Sequence, residues 1–273
     1  MSRADMLHAL GLFAQKIKTV VADRVGGVIY APRCGLCQAE LHVATPHALC
    51  ADCWQTLPFL HPPLCSVCYH RLPPTHTDRQ DRHPSPLYSL CLQCQQRPLA
   101  IDHIIAPFAY QEPITTLILQ LKYGDHLALS HFLVPQMARL VQQQWLPHHH
   151  PHQLLLVPIP SHFWRLLKRQ YNQAEVLARA LSKATAIPIA TNILTRTQPT
   201  SQKNQGADIR FHQLAHAFAL NQRAWRNHKD KTVILIDDVV TTCATMHQVA
   251  RLLKKNGAGM VYGLAVARTM LKH

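Results

Sequence analysis

A chain of 273 residues has room for one or two domains with ample cores. Its 28 Lys and Arg against 14 Asp and Glu give a formal net charge of +14, and 20 histidines add to it below neutrality. Such a surface favours nucleic acid or another polyanion, with a generally basic protein as the competing reading. No run approaches eighteen uninterrupted apolar residues, which excludes a membrane-spanning helix. No Gly-x-x-x-x-Gly-Lys-Ser/Thr stretch is present, which excludes a P-loop motor. No internal repeat and no convincing Ser-His-Asp arrangement is visible.

Within residues 1–30, Leu10, Phe13, Ile17, Val20 and Val21 recur at helical spacing. Gln15, Lys16 and Lys18 interrupt the apolar run and no cleavage site follows, so this is not a secretory signal. A cytoplasmic protein is the expectation. The helix docks onto the ribbon or a partner, or rests on a membrane surface.

Eight of nine cysteines form four Cys-x-x-Cys pairs: Cys34/Cys37, Cys50/Cys53, Cys65/Cys68 and Cys91/Cys94. A two-residue gap turns both thiolates of a knuckle toward one metal, and two knuckles close a tetrahedral four-sulfur site with no open position. Residues 31–100 therefore read as a small double zinc ribbon, with two four-cysteine sites holding two structural Zn2+ ions. Zinc contributes folding energy on the order of 10 kcal/mol per site, which a segment this poor in apolar periodicity needs. The knuckles are expected to pair in sequence order, with cross-bracing as the alternative. A disulfide framework is the competing reading.

From Ile101 the pattern becomes α/β. Ile104 to Tyr110 reads as a strand. A helix follows from Pro113, with Leu117, Ile118 and Leu121 inward, and ends near Lys122. A longer helix presents Leu129, Leu133, Met137, Leu140 and Val141 on one side. Pro147–His152 is a histidine-rich loop, expected to be solvated. Leu154–Ile159 is a buried strand ending in Pro158, Pro160 and Ser161. A basic stretch with Arg165, Lys168 and Arg169 leads to a helix with Ala174, Leu177, Ala178 and Leu181 inward. Ile193–Thr195 is a short strand before a polar segment.

Val233–Ile236 reads as a strand buried on both faces, with Asp237 and Asp238 at its end. A turn of small and hydroxyl residues follows: Thr241, Thr242, Cys243, Ala244 and Thr245. Met246, Val249, Ala250, Leu252 and Leu253 then mark a helix, which Asn256-Gly257 stops. Another strand runs from Met260 to Val266. Unpaired N–H groups and a positive dipole end meet at the start of that helix, where small side chains admit a phosphate. The carboxylates upstream can accept hydrogen bonds from sugar hydroxyls. The pattern suits a ribose phosphate, with an ordinary strand-to-helix turn as the bland alternative.

This stretch resembles the 5-phosphoribosyl-1-pyrophosphate (PRPP) motif of type I phosphoribosyltransferases. The whole chain resembles the ComF family (ComFC and GntX proteins), a phosphoribosyltransferase-like fold behind a double zinc ribbon. The family glycine in the motif is Cys243 here. The resemblance implies an α/β domain over residues 101–273, with a mostly parallel sheet flanked by helices. It implies that Asp237 and Asp238 hold the ribose, and that Mg2+ accompanies PRPP. Pro160 and Ser161 would lie in the pyrophosphate loop, with Arg169, Arg165 and Lys122 meeting the pyrophosphate. Gln202 and Arg210 would belong to a lid. Solvent-facing basic side chains and a plain surface hairpin are the alternatives for these last groups. The family is linked to natural transformation, the handling of imported single-stranded DNA. Single-stranded DNA and other DNA-uptake or recombination proteins are therefore expected partners, and Trp54, Trp164 or Trp225 are candidates for base stacking, with packing under the ribbon or lid as the competing reading. An active phosphoribosyltransferase of nucleotide metabolism is the alternative function.

Overall fold

The computed structural model describes residues 33–41, 49–73, 90–123, 129–161, 171–197, 214 and 217–270. The helix expected within residues 1–30, together with Trp164, Arg165, Arg169, Gln202 and Arg210, lies outside the described residues. By its contacts the chain divides into Met1–Thr56 and Leu57–His273.

In the first unit, Arg33 and Glu40 bridge antiparallel across a tight knuckle. The Cys34 N–H donates to Ala39 O at 2.8 Å and the Gln38 N–H to Cys34 O at 2.9 Å. Gln38 completes the reversal with φ of 61°. Cys50 then opens a short helix, α1 (Ala51–Gln55). The second unit starts with the same device. Leu64 and Arg71 bridge, the Cys65 N–H donates to His70 O at 2.8 Å and the Tyr69 N–H to Cys65 O at 3.0 Å. Tyr69 carries φ of 59°, and Cys91 opens α2 (Leu92–Gln96). Knuckle plus helix is thus a structural repeat, hidden in the sequence because little beyond the cysteines recurs.

The second unit is built on a parallel sheet. β1 (His103–Ile105) and β2 (Phe108–Ala109) both pair with the last strand, β7 (Val261–Arg268). Next to β7 lies β6 (Thr232–Val240), and beyond it β3 (Leu154–Pro158). The order β1-β7-β6-β3 makes β7 central, and all its residues are buried. The stretch expected as one strand from Ile104 to Tyr110 is two. Pro107 has no N–H to give a ladder, and its carbonyl accepts from Leu60 N at 2.9 Å instead.

Helices cover the sheet. They are α3 (Ile114–Tyr123), α4 (Leu129–Gln144), α5 (Gln173–Thr185) and α7 (Ala244–Lys255). A four-residue helix, α6 (Gln222–Trp225), follows a separate antiparallel pair formed by β4 (Leu194–Arg196) and β5 (Phe218–Leu220). The pleat sends alternate residues of β6 to opposite faces. Val233 and Leu235 join a core with Met246, Val249, Ala250 and Leu253 of α7 and, on the same face, Cys65, Cys68 and Cys94. Helix α5 packs against β3 and β6, with Ala174, Leu177, Ala178 and Leu181 buried as its periodicity requires. At Gly263 of β7 an added Cβ would sit 2.5 Å from Met246 Sδ, so glycine is what lets α7 lie this close. Helix α7 ends at Gly257, whose φ of 91° suits glycine. The Ala258 N–H closes back on Leu253 O at 3.0 Å.

Candidate functional site

The site residues come together through strand order. β6 and β3 run parallel in register, Pro158 opposite Ile236. Their carboxyl ends therefore put Ile159–Ser161 beside Asp237, the edge where parallel sheets carry ligands. Asp237 and Asp238 lie inside β6, not beyond it, because β7 continues alongside: Asp237 faces Ala265 and Val240 faces Arg268. Both carboxylates are half-buried. Asp237 Oδ1 accepts from the Asp238 N–H at 2.8 Å, which fixes the first carboxylate against its own strand.

Thr241 is exposed, Thr242 and Thr245 are half-buried, and Cys243 and Ala244 are buried. Cys243 is the N-cap of the twelve-residue α7, with φ of 62° and no capping side-chain hydrogen bond. The left-handed conformation explains why glycine suits this position in the motif. The buried thiol belongs to the same core as Cys68. Its neighbour Cys68 first, then burial, push it well above the usual thiol range, the opposite of the reactive thiolate that a helix N-terminus can create.

Asn172 organises the neighbouring turn. Its Oδ1 accepts from the Ser161 hydroxyl at 3.2 Å and from the Ala174 N–H at 3.3 Å, capping α5. Its Nδ2 donates to Ile159 O at 3.1 Å. Tyr171 Oη donates to Leu121 O at 2.8 Å, bringing the end of α3, where Lys122 sits, to this segment. An asparagine directly before a helical pattern is a readable cap; its hold on the Pro160–Ser161 turn is not readable. β4 and β5 pair Arg196 with Phe218, so the segment between them leaves and returns at one place. Trp225 is fully buried and donates Nε1–H to Asn256 O at 2.9 Å, which rules it out as a base-stacking surface.

The cysteines resolve into two quartets in sequence order, Cys34/Cys37/Cys50/Cys53 and Cys65/Cys68/Cys91/Cys94, each with all sulfurs within 4.8 Å of one another. Cys37 and Cys50 Sγ are 3.7 Å apart, and Cys68 and Cys91 Sγ 3.5 Å. A tetrahedral zinc with bonds of about 2.3 Å spaces its sulfurs by about 3.8 Å, so both quartets fit the ion. Backbone amides support the thiolates in the same way in each: Cys50 N–H points to Cys34 Sγ and Cys91 N–H to Cys65 Sγ, both at 3.4 Å. Burial opposes ionisation of Cys34, yet the backbone N–H groups of Cys37, Cys50 and Leu36 bring it down to about 6. In the second quartet, Cys68 is held below the ordinary thiol range by hydrogen bonds from Cys243, Cys65 and Cys94 and by the Arg268 charge.

Arg268, at the end of β7, was not among the residues the sequence singled out. It is 1% exposed. Its Nε donates to Cys68 O at 2.9 Å, and its NH1 group to Val240 O at 3.3 Å, Thr269 O at 3.1 Å and Thr241 O. One guanidinium therefore joins the second quartet to the β6–α7 turn.

Comparison with known proteins agrees with these two parts. A double zinc ribbon domain matches residues 25–95, and a phosphoribosyl transferase domain matches residues 172–267. Competence protein F of Haemophilus influenzae is 30% identical over 246 residues, which cover 86% of this chain and 97% of that protein. The chain belongs to the Competence protein F family. DNA utilization protein YhgH of Escherichia coli K12 is 29% identical over 241 residues, 83% of this chain and 99% of that one. Its Salmonella typhimurium counterpart is 29% identical over 242 residues, with the same coverage. In this member of the Competence protein F family the matched ribbon spans both structural units: one quartet in Met1–Thr56, the other in the unit that carries the sheet. Among the described residues no helix is long and apolar enough to cross a membrane.

Proposed function

We propose that this protein binds PRPP or a related ribose phosphate with Mg2+ at the β6–α7 turn and acts in the cytoplasm on imported single-stranded DNA during natural transformation. The observation that carries the reading is the alignment of three features on one sheet edge. Asp237 and Asp238 lie in the carboxyl-terminal half of β6, an uncapped turn of small residues opens α7, and the Pro160–Ser161 turn follows the adjacent strand β3. The carboxylates would take the ribose diol, the turn amides and threonine hydroxyls the 5-phosphate, and the Ser161 turn the pyrophosphate. Mg2+, when bound, would act as a Lewis acid that offsets the charge of the pyrophosphate, beside a ribose held by Asp237 and Asp238. Arg165, Arg169 and Lys122 are the proposed cationic partners of the pyrophosphate, and Gln202 and Arg210 the lid. The excess of 14 positive charges supports a polyanionic partner such as single-stranded DNA.

Calorimetric titration with Mg-PRPP tests this. Wild type should bind, and Asp237→Asn should weaken binding at least about tenfold, a loss of about 1.4 kcal/mol. Unchanged affinity in the variant, or no binding by wild type, refutes the assignment. Release of pyrophosphate by wild type with an acceptor present would favour a transferase over a binding role. Single-stranded DNA affinity should fall steeply with salt.

A further inference from the structure

The two edges of the sheet differ in charge. Asp237 and Asp238 lie toward the carboxyl edge, whereas cations gather at the amino edge, where β6 begins and α7 ends. Helix α6 and the 3-10 turn after it (Arg226–His228) place Arg223, Arg226 and Lys229 at intervals of three, all exposed. Side chains at that spacing share one side of a helix, with Cβ atoms about 5–6 Å apart. Trp225, fully buried between them, fixes the segment to the end of α7. Its Nε1–H donates to Asn256 O at 2.9 Å, and Gln222 Nε2 donates to Asn256 Oδ1 at 2.8 Å. The Lys231 N–H returns to His228 O at 3.1 Å, and its ammonium group donates to His152 O, just before β3. Exposed Arg251 and Lys255, one turn apart on α7, add to the row.

The ordinary reasons for surface cations do not cover it. Lys254 pairs with Asp102 at 2.6 Å, and Lys255 sits at the negative end of the α7 dipole. Among the described residues, no carboxylate lies within ion-pair distance of Arg223, Arg226 or Lys229. The exposed side chains of residues 222–231 are all polar, which leaves nothing to insert into a lipid bilayer. With Trp225 buried, no indole is offered to bases, so the surface reads charge and not sequence. β6 rises about 3.3 Å per residue, so Lys231 and Asp238 are about 23 Å apart, well beyond the screening length of about 8 Å at physiological salt. We propose that Arg223, Arg226 and Lys229, extended by Lys231, Arg251 and Lys255, form the docking surface for the phosphate backbone of single-stranded DNA, on the sheet edge opposite the ribose-phosphate site. The choice of DNA rests on the function proposed above; the place rests on the charge.

Fluorescence anisotropy of a labelled oligothymidylate with the full zinc-loaded chain, across a salt series, tests this. Each lost phosphate contact on a single strand lowers the slope of log affinity against log salt by about 0.7. Lys229→Gln alone should show that change. Arg223→Gln/Arg226→Gln/Lys229→Gln should lower the slope by about 2 and weaken binding at least about tenfold at about 0.15 M salt, with Mg-PRPP affinity unchanged. Arg139→Gln/Arg179→Gln/Lys183→Gln removes the same charge from exposed positions on α4 and α5 and should keep the wild-type slope. An unchanged slope in the first triple variant, or an equal fall in both, overturns the placement and leaves DNA binding itself standing. No binding by wild type overturns the placement together with the DNA part of the proposed function. Loss of binding to phosphatidylglycerol vesicles in the first variant, with its DNA slope unchanged, overturns it in favour of a membrane.

Discussion

Replacing Arg268 by methionine keeps the volume of the side chain and removes its donors. Four carbonyls, those of Cys68, Val240, Thr241 and Thr269, each lose a hydrogen bond, although Val240 O keeps the Thr269 N–H and Thr241 borders solvent. At roughly 1 kcal/mol per lost hydrogen bond the gross loss is at most about 4 kcal/mol. Methionine recovers part of this because no charge has to be desolvated, leaving a net loss of about 2–4 kcal/mol. For a unit of this size that lowers Tm by about 5–15 °C. Thermal unfolding of the zinc-loaded chain followed by far-UV circular dichroism reads it. Arg268→Lys keeps the charge without the fork and should fall between wild type and methionine. A shift smaller than about 2 °C in Arg268→Met would show that the guanidinium does not hold quartet and turn together.

Asn172→Ala removes the cap of α5 and frees the Ser161 turn, so we expect a loss of about 1 kcal/mol in denaturant unfolding, together with weaker Mg-PRPP binding; stability loss with unchanged affinity would detach the turn from the proposed site. His103 is half-buried beside Tyr69 and Trp145, and desolvation lowers its pKa. The folded chain resists a proton that the unfolded chain accepts, so its contribution is full above about pH 6.5 and is lost as pH falls below that. His103→Phe should therefore show a smaller drop in Tm between pH 7.5 and 5.5 than wild type, and parallel drops would assign the acid sensitivity elsewhere.

Much of this architecture was legible because its signals are local. The cysteine spacings and the run from Val233 to Gly257 each carry their meaning within a few turns of chain, and both appear as read. The sequence misplaced the carboxylates relative to the strand end, since the apolar run stops at Ile236 while pairing with β7 continues to Val240. It split nothing at Thr56, because both knuckles look alike on paper; only packing against Ile104, whose N–H donates to Val67 O at 2.8 Å, ties the second one to the sheet. Arg268 was invisible for the same reason. It looks like the polar end of a strand, while one of its acceptors lies 200 residues away.

Strand order also has a consequence for biosynthesis. β7 lies near the end of the chain yet fills the middle of the sheet. While the ribosome is still making it, β1 and β2 have no neighbour and β6 exposes a long bare edge, the kind that recruits strands from other nascent chains. Arg268 follows the quartet and all the other strands in chain order, so the second quartet can collect its ion before it meets its guanidinium.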